Sequence, residues 1–130
     1  MSNSYLGLLG LARRAGKLEI GDEAVKGSCG RNLAKLLLIA SDASERTRAT
    51  FESIAEGSEL PCVTVSETRE EIGNALGKRP SAIVAVCDSG FSAAIVKKLS
   101  DGNESAKAAL PSLEKRAKRS ASRKKTNRNK

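Results

Sequence analysis

The chain of 130 residues carries a formal net charge of +8, and its C-terminal end holds most of that excess. Residues 1–99 contain 13 Lys and Arg against 12 Asp and Glu, whereas residues 100–130 contain 10 against 3. The sequence has no histidine, which excludes His-dependent catalytic triads and His-containing zinc sites, and its odd number of cysteines argues against a disulfide framework.

The first predicted element is an amphipathic helix near the N-terminus, with Gly16 as its C-terminal stop. Its inward face consists of Tyr5, Leu8, Leu9 and Ala12. The apolar run is too short to span a bilayer, and its positive charges follow the run, whereas those of a signal peptide precede it. We therefore expect a cytoplasmic protein.

Four short strands are predicted to follow, separated by helices. Their ranges are 17–20 (KLEI), 34–40 (AKLLLIA), 61–66 (PCVTVS) and 81–87 (SAIVAVC). The second and fourth are near-continuous apolar runs, which are typical of strands that helices cover on both faces. The third alternates between apolar and polar residues, which favours a place nearer the edge of the sheet.

The helices between these strands are predicted from their capping residues and apolar spacing. The second helix runs from residue 22 to about 31. Asp42 with Glu45 has the spacing of a capping box for the third, and Ser66 is the predicted cap of the fourth. The fifth follows residues 88–90. The inward residues of the last three helices are Phe51, Ile54 and Ala55, then Thr68, Ile72, Ala75 and Leu76, then Phe91, Ile95 and Leu99.

These elements predict one three-layer α/β domain at residues 1–99, in the order α-β-α-β-α-β-α-β-α. Residues 100–130 are predicted to form a disordered basic tail. From Lys115 onward this tail holds nine cations and no acid, and such a block of like charge stays unfolded until it meets a polyanion, most often nucleic acid. A solubilising role is the alternative.

The sequence lacks the motifs of catalysis and nucleotide binding. The Gly-rich segments at 7–16 and 27–30 do not end in Gly-Lys-Ser/Thr, and no G-x-G-x-x-G follows a strand. Cys62 and Cys87 fall at the ends of predicted strands, where a thiol packs as a small hydrophobic group. We expect no enzymatic activity, no cofactor and no metal.

The start of the second helix, GDEAVK at 21–26, allows two interpretations. Acids in a first turn are favoured by the helix dipole and by unpaired backbone N–H groups. Alternatively, Asp22 or Glu23 accepts hydrogen bonds from a guanine edge in RNA, while Lys26 holds a neighbouring phosphate.

Three segments together resemble one family of RNA-binding proteins: LLGLARRAGKLEIGDEAVK, AKLLLIASDAS and IGNALGKRPSAIVAVCDSGF. They are similar to the bacterial branch of the ribosomal kink-turn-binding proteins, a superfamily that includes large-subunit proteins seven-Ae and thirty-e, small-subunit protein twelve-e and Gadd-forty-five. The resemblance implies an α-β-α sandwich with a mixed four-stranded sheet. It also implies binding to the kink-turn, a sharply bent RNA helix with tandem sheared G·A pairs.

The resemblance further implies that the start of the second helix reads guanines and that a later loop packs on a flipped-out nucleotide. The implied RNA-binding residues are Gly21, Asp22, Glu23, Lys26, Arg31, Lys35, Gly77, Lys78, Arg79, Pro80 and Ser81. The family pattern Gly-x-Asn-Glu-x-Thr-Lys is not reproduced here. In one register Glu23, Ala24 and Gly27 replace its Asn, Glu and Lys; in another, Asp22 and Glu23 match Asn and Glu.

The sequence thus predicts a non-enzymatic, ribosome-associated protein that binds structured RNA, with possible ribosomal protein contacts and no membrane or small-molecule partner. Two alternatives stay open. One is a protein-interaction module of the same superfamily, and the other is an accessory part of an RNA-modifying enzyme whose catalytic residues belong to a partner.

Overall fold

The computed structural model describes residues 5–100, 103, 106, 107, 110, 111, 113–115, 117 and 118. The helices described along their whole length are α1 (Tyr5–Arg14), α2 (Asp22–Gly30), α3 (Glu45–Ser58), α4 (Arg69–Leu76) and α5 (Ser89–Leu99). Its strands are β1 (Leu18–Ile20), β2 (Leu36–Ile39), β3 (Cys62–Thr64) and β4 (Ile83–Val86). None of the described helices is long and apolar enough to cross a membrane.

The four strands form one mixed sheet in the order β1-β4-β2-β3. β4 is antiparallel to both of its neighbours, whereas β2 and β3 are parallel. The apolar strands β2 and β4 occupy the centre and are buried along their whole length, and β3 lies at an edge. The prediction made from their hydrophobic patterns is confirmed, because only a central strand must bury every side chain.

Alternation along β2 divides the core into two layers. Leu36 and Leu38 face one side, where they pack with α1, α4 and α5. Leu37 and Ile39 face the other side, where they pack with Val25 and Cys29 of α2 and with Phe51 and Ala55 of α3. Since successive side chains of a strand point to opposite faces, one apolar run supports helices on both. The predicted three-layer α-β-α sandwich with a mixed four-stranded sheet is confirmed.

The caps of α3 and α4 differ from the predicted ones. Ser44, and not Asp42, caps α3, because its side chain accepts a hydrogen bond from the Thr47 N–H. The Asp42 carboxylate instead accepts a 2.8 Å bond from the backbone N–H of Arg69 and lies 3.5 Å from the Arg69 guanidinium. Sequence spacing could not anticipate this partner, which is distant in the chain.

The cap of α4 is Thr68, two residues after the predicted Ser66. Thr68 and Glu71 form a reciprocal capping box, in which each side chain accepts a bond from the other residue's backbone N–H. The helix therefore starts later than predicted, and Ala75, which was expected to face inward, is exposed. Ile72 and Leu76 are buried as expected.

The packed core does not end at residue 99. The described residues between 106 and 118 are helical and form a C-terminal helical segment, and both Ala106 and Leu113 are fully buried in the layer that contains α1, α4 and α5. Asn103 precedes this segment; its side chain donates to the Thr64 carbonyl and accepts from the Ala106 N–H. Residues 119–130, which hold the rest of the predicted basic tail, lie outside the described residues.

Candidate nucleic-acid interface

Strand pairing brings together the two predicted binding segments, which are far apart in sequence. Because β1 and β4 are antiparallel, the end of β1 lies beside the start of β4, in a register that pairs Ile20 with Val84. One residue further along, the Gly21 N–H donates a 3.1 Å bond to the Ile83 carbonyl. The start of α2 and the turn that precedes β4 therefore share one edge of the sheet.

A cleft of about 600 Å³ opens between these segments. Its lining consists of Arg13, Leu18, Glu19, Ile20, Gly21, Lys78, Arg79, Pro80 and Ser81. Five of the predicted RNA-binding residues thus surround one cleft, and its lining, as far as the structure describes the chain, includes three cations and a single carboxylate. An open surface with this excess of cations suits a polyanion.

The start of α2 presents backbone and carboxylate groups beside the cleft. Gly21 is the N-cap, with φ 95° and ψ 161°, and no side chain among the described residues caps the helix. A positive φ of this kind suits glycine, so the sharp entry into α2 depends on Gly21. Asp22 and Glu23 are exposed in the first turn, and no residue in the described part of the chain hydrogen-bonds or ion-pairs with their carboxylates.

Gly77–Ser81, here called the basic turn, is fastened to α4 at both ends. Gly77 ends α4 in the left-handed conformation, and the Lys78 N–H donates a 2.8 Å bond to the Gly73 carbonyl. The Ser81 N–H donates to the Arg69 carbonyl, and the Ser81 hydroxyl donates a 3.0 Å bond to the Arg79 carbonyl. These bonds fix the backbone of the basic turn, while the Lys78 and Arg79 side chains stay exposed.

Arg13 is a cleft residue that the sequence analysis missed. Its guanidinium donates a 2.7 Å bond to the Leu76 carbonyl, one of the last carbonyls of α4. Both this bond and the negative end of the α4 dipole favour a cation there. One signal was available, since Arg13 follows Leu9 of the inward face by four residues, one helical turn.

Six predicted site residues lie outside the cleft lining. Asp22 and Glu23 directly follow Gly21, and Gly77 directly precedes Lys78, whereas the other three lie further away. Lys26 is exposed one turn into α2, beyond the acids at its start. Arg31 caps the other end of this helix, about 13 Å away along a nine-residue axis, and its Nε donates to the Gly27 carbonyl. Lys35 immediately precedes β2, at that same distant end. The structure therefore separates Arg31 and Lys35 from the basic turn.

The three cysteines are packed against the domain, with Cys29 buried and Cys62 and Cys87 half-buried. All three are free, and burial raises the pKa of each above its ordinary value; the pKa of Cys62 rises to about 12. The thiolate, which is the nucleophilic form, is correspondingly disfavoured near neutral pH. No group of three or more acidic or cysteine side chains within the described residues is placed to hold a metal ion.

An α-β-α sandwich with a cation-lined cleft at one sheet edge defines a class of binding domain, and comparison with known proteins specifies the family. The chain belongs to the ribosomal protein L7Ae/L30e/S12e/Gadd45 family, whose family model matches residues 4–96. The predicted family is thereby confirmed.

Individual relatives agree with this assignment. The chain is 35% identical to the RNA-binding protein YlxQ of Enterococcus faecium over 66% of its own length and 82% of that protein. It is also 35% identical to RNA-binding protein YlxQ of Bacillus subtilis strain 168, over 71% and 91% of the two chains. A solved structure of a protein of unknown function from Bacillus halodurans matches with a TM-score of 0.72 and 29% identity, covering 77% of this chain and all of that one.

Proposed function

We propose that this protein binds structured RNA of the kink-turn type and that the cleft grips the bend of the RNA helix. Family membership supports RNA as the ligand, as do the relatives whose names describe them as RNA-binding proteins. One observation carries the proposal: Gly21, the N-cap of α2, and Lys78–Ser81 of the basic turn line the same cleft, although they lie far apart in sequence.

The cleft and the adjoining first turn of α2 offer different chemistry to a folded RNA. At the start of α2, the carboxylates of Asp22 and Glu23 are free to accept hydrogen bonds from guanine edges. Within the cleft, Arg13, Lys78 and Arg79 supply cations for the phosphates that a sharp bend brings close together. The acids discriminate between bases, and the cations provide most of the affinity.

Charges outside the cleft extend the proposed contact. A flanking RNA helix contacts α2 and the residues after it, where its phosphates meet Lys26, Arg31 and Lys35. The cations from Lys115 onward add phosphate contacts that do not depend on the RNA sequence. The protein acts in the cytoplasm as a non-enzymatic, ribosome-associated factor. No cofactor takes part, since binding needs only shape, charge and hydrogen bonds.

A gel-shift comparison tests this function. We expect the full chain to bind a kink-turn oligonucleotide about tenfold or more tightly than the same RNA with its tandem G·A pairs disrupted, because lost base contacts cost about 1–3 kcal/mol each. The measurement is made at about 50 mM and about 200 mM salt, where each phosphate contact adds about 0.9 to the slope of log affinity against log salt.

The double variant K78A/R79A tests whether the cleft is the contact surface. We expect its affinity to fall for both RNAs and its salt slope to decrease by about two. K97A/K98A is the matched control. It removes the same amount of positive charge, but from two exposed lysines of α5 that are not part of the cleft lining. Equal losses of affinity in both double variants would mean that total charge, and not the cleft, determines binding. Equal affinity of the wild type for both RNAs would contradict kink-turn recognition.

A further inference from the structure

Gly73 lies where the backbone of the basic turn meets α4. It is buried inside this helix, and a Cβ atom built on it would stand 2.5 Å from the Arg79 carbonyl oxygen and 2.9 Å from the Lys78 carbonyl oxygen. Real Cβ atoms essentially never approach other atoms under 3.0 Å. Both contacts are with backbone, so no side-chain rotation would relieve them. The turn therefore rests directly on the bare Cα of Gly73.

We propose that Gly73 is a positioning residue that sets the location of the Lys78–Arg79 backbone and thereby the RNA affinity of the cleft. The inference rests on the proposed function, because it assigns a cause to the placement of two proposed phosphate ligands. Gly73 itself is buried and contacts no RNA. It acts by allowing the turn to approach α4 more closely than any other residue would.

The other reasons for a glycine do not apply at this position. Gly73 is not among the residues with positive φ, so its backbone conformation is open to any residue. Within a helix, glycine costs about 1 kcal/mol relative to alanine. The close approach of the Lys78 and Arg79 carbonyls is the feature that offsets this cost.

A side chain at residue 73 would move the turn and not merely crowd it. Restoring even a tight Cβ–O separation of 3.0 Å would require a displacement of about 0.5 Å, and an ordinary contact nearly twice that. Such a shift would strain the Lys78 N–H bond to the Gly73 carbonyl and the Ser81 N–H bond to the Arg69 carbonyl. Lys78 and Arg79 would then leave the positions that face the start of α2.

The variant Gly73→Ala tests the inference, with Gly57→Ala as its matched control. Gly57 is an exposed residue of α3 with open space around its Cα, so alanine there changes helix propensity without a clash. We expect G57A to bind kink-turn RNA like the wild type. We expect G73A to bind about tenfold more weakly, with a salt slope lower by about one to two, because one or two phosphate contacts are lost.

Coupling to Arg79 separates positioning from general damage. If Gly73 acts through the turn, the G73A substitution should weaken binding much less in the K78A/R79A background than in the wild type. A folded G73A protein with wild-type affinity and slope would overturn the inference while leaving RNA binding intact. Failure of the wild type to bind any RNA would instead overturn the proposed function.

Hydrogen exchange of the wild type tests the same inference without relying on a folded variant. We expect the Lys78 and Ser81 amides to be protected in the RNA-free protein, since both donate to α4 carbonyls. Protection that appears only after RNA is added would mean that the ligand, and not α4, orders the turn, and would overturn the inference.

Discussion

Arg13 and Arg14 are adjacent cations of the same helix, yet their surroundings differ. Arg13 lines the cleft and donates to the Leu76 carbonyl, whereas Arg14 is exposed and is not part of the cleft lining. Their residue type and charge are the same, so composition alone cannot distinguish them. The position of each around the helix axis, at 100° per residue, decides which one faces the cleft.

The variants R13A and R14A compare these residues at equal net charge. We expect R13A to weaken binding of kink-turn RNA by roughly fivefold to tenfold and R14A to change it little, because a fixed cation contributes more than a solvated one. Gel shifts at one salt concentration measure both. Equal losses in the two variants would contradict a specific place for Arg13 in the cleft.

At the scale of elements, α4 determines where the basic turn lies. It is only eight residues long, too short to be stable alone, and its capping box and buried residues hold it in place. Its first residue, Arg69, is bonded to Asp42 on one side and accepts the Ser81 N–H on the other. Loss of its cap should therefore destabilise the protein and loosen the turn together.

The variant T68A tests the capping residue of α4. We expect it to lower the free energy of unfolding by about 1 kcal/mol, since the side chain no longer accepts the Glu71 N–H. S66A is the control, because Ser66 is exposed and lies outside the helix; its stability should stay within about 0.5 kcal/mol of the wild type. Chemical denaturation measures both, and the reverse order would restore Ser66 as the cap.

The sequence predicted the order and type of these elements well because their signals are local. The apolar runs of β2 and β4 and the alternation of β3 identify strands without knowledge of their partners. The bond of Asp42 to Arg69 joins residues 27 positions apart, and no local pattern encodes it. The cleft shows the same division: the basic turn and the start of α2 were predicted from the sequence, whereas the bond of Arg13 to Leu76, 63 positions away, depends on packing.

For the whole molecule, the C-terminal helical segment changes the estimate of where the packed structure ends. Its cations favoured a flexible tail, yet Ala106, Leu110 and Leu113 recur at helical spacing and pack on the core. The prediction of a disordered tail was based on the charge of this segment and did not use its apolar stripe. A truncation intended to remove only the basic tail should therefore follow residue 118 and not residue 99.

The variant L113A tests this packing. Leu113 is fully buried, so we expect its truncation to lower the free energy of unfolding by about 2–5 kcal/mol through lost burial and a residual cavity. L33A is the control, since Leu33 is 46% exposed and its loss should matter little. Wild-type stability of L113A would mean that the segment does not contribute to the core.

The pairing of β1 with β4 has a thermodynamic consequence. The cleft joins Gly21 to Lys78, which are 57 positions apart, and it exists only while the sheet is intact. An unfolded chain therefore offers an RNA no equivalent site. RNA binding shifts the folding equilibrium toward the native state by mass action. At a hundredfold excess of free RNA over its dissociation constant, the native state would gain about 2.7 kcal/mol. Melting temperature would then report occupancy of the cleft.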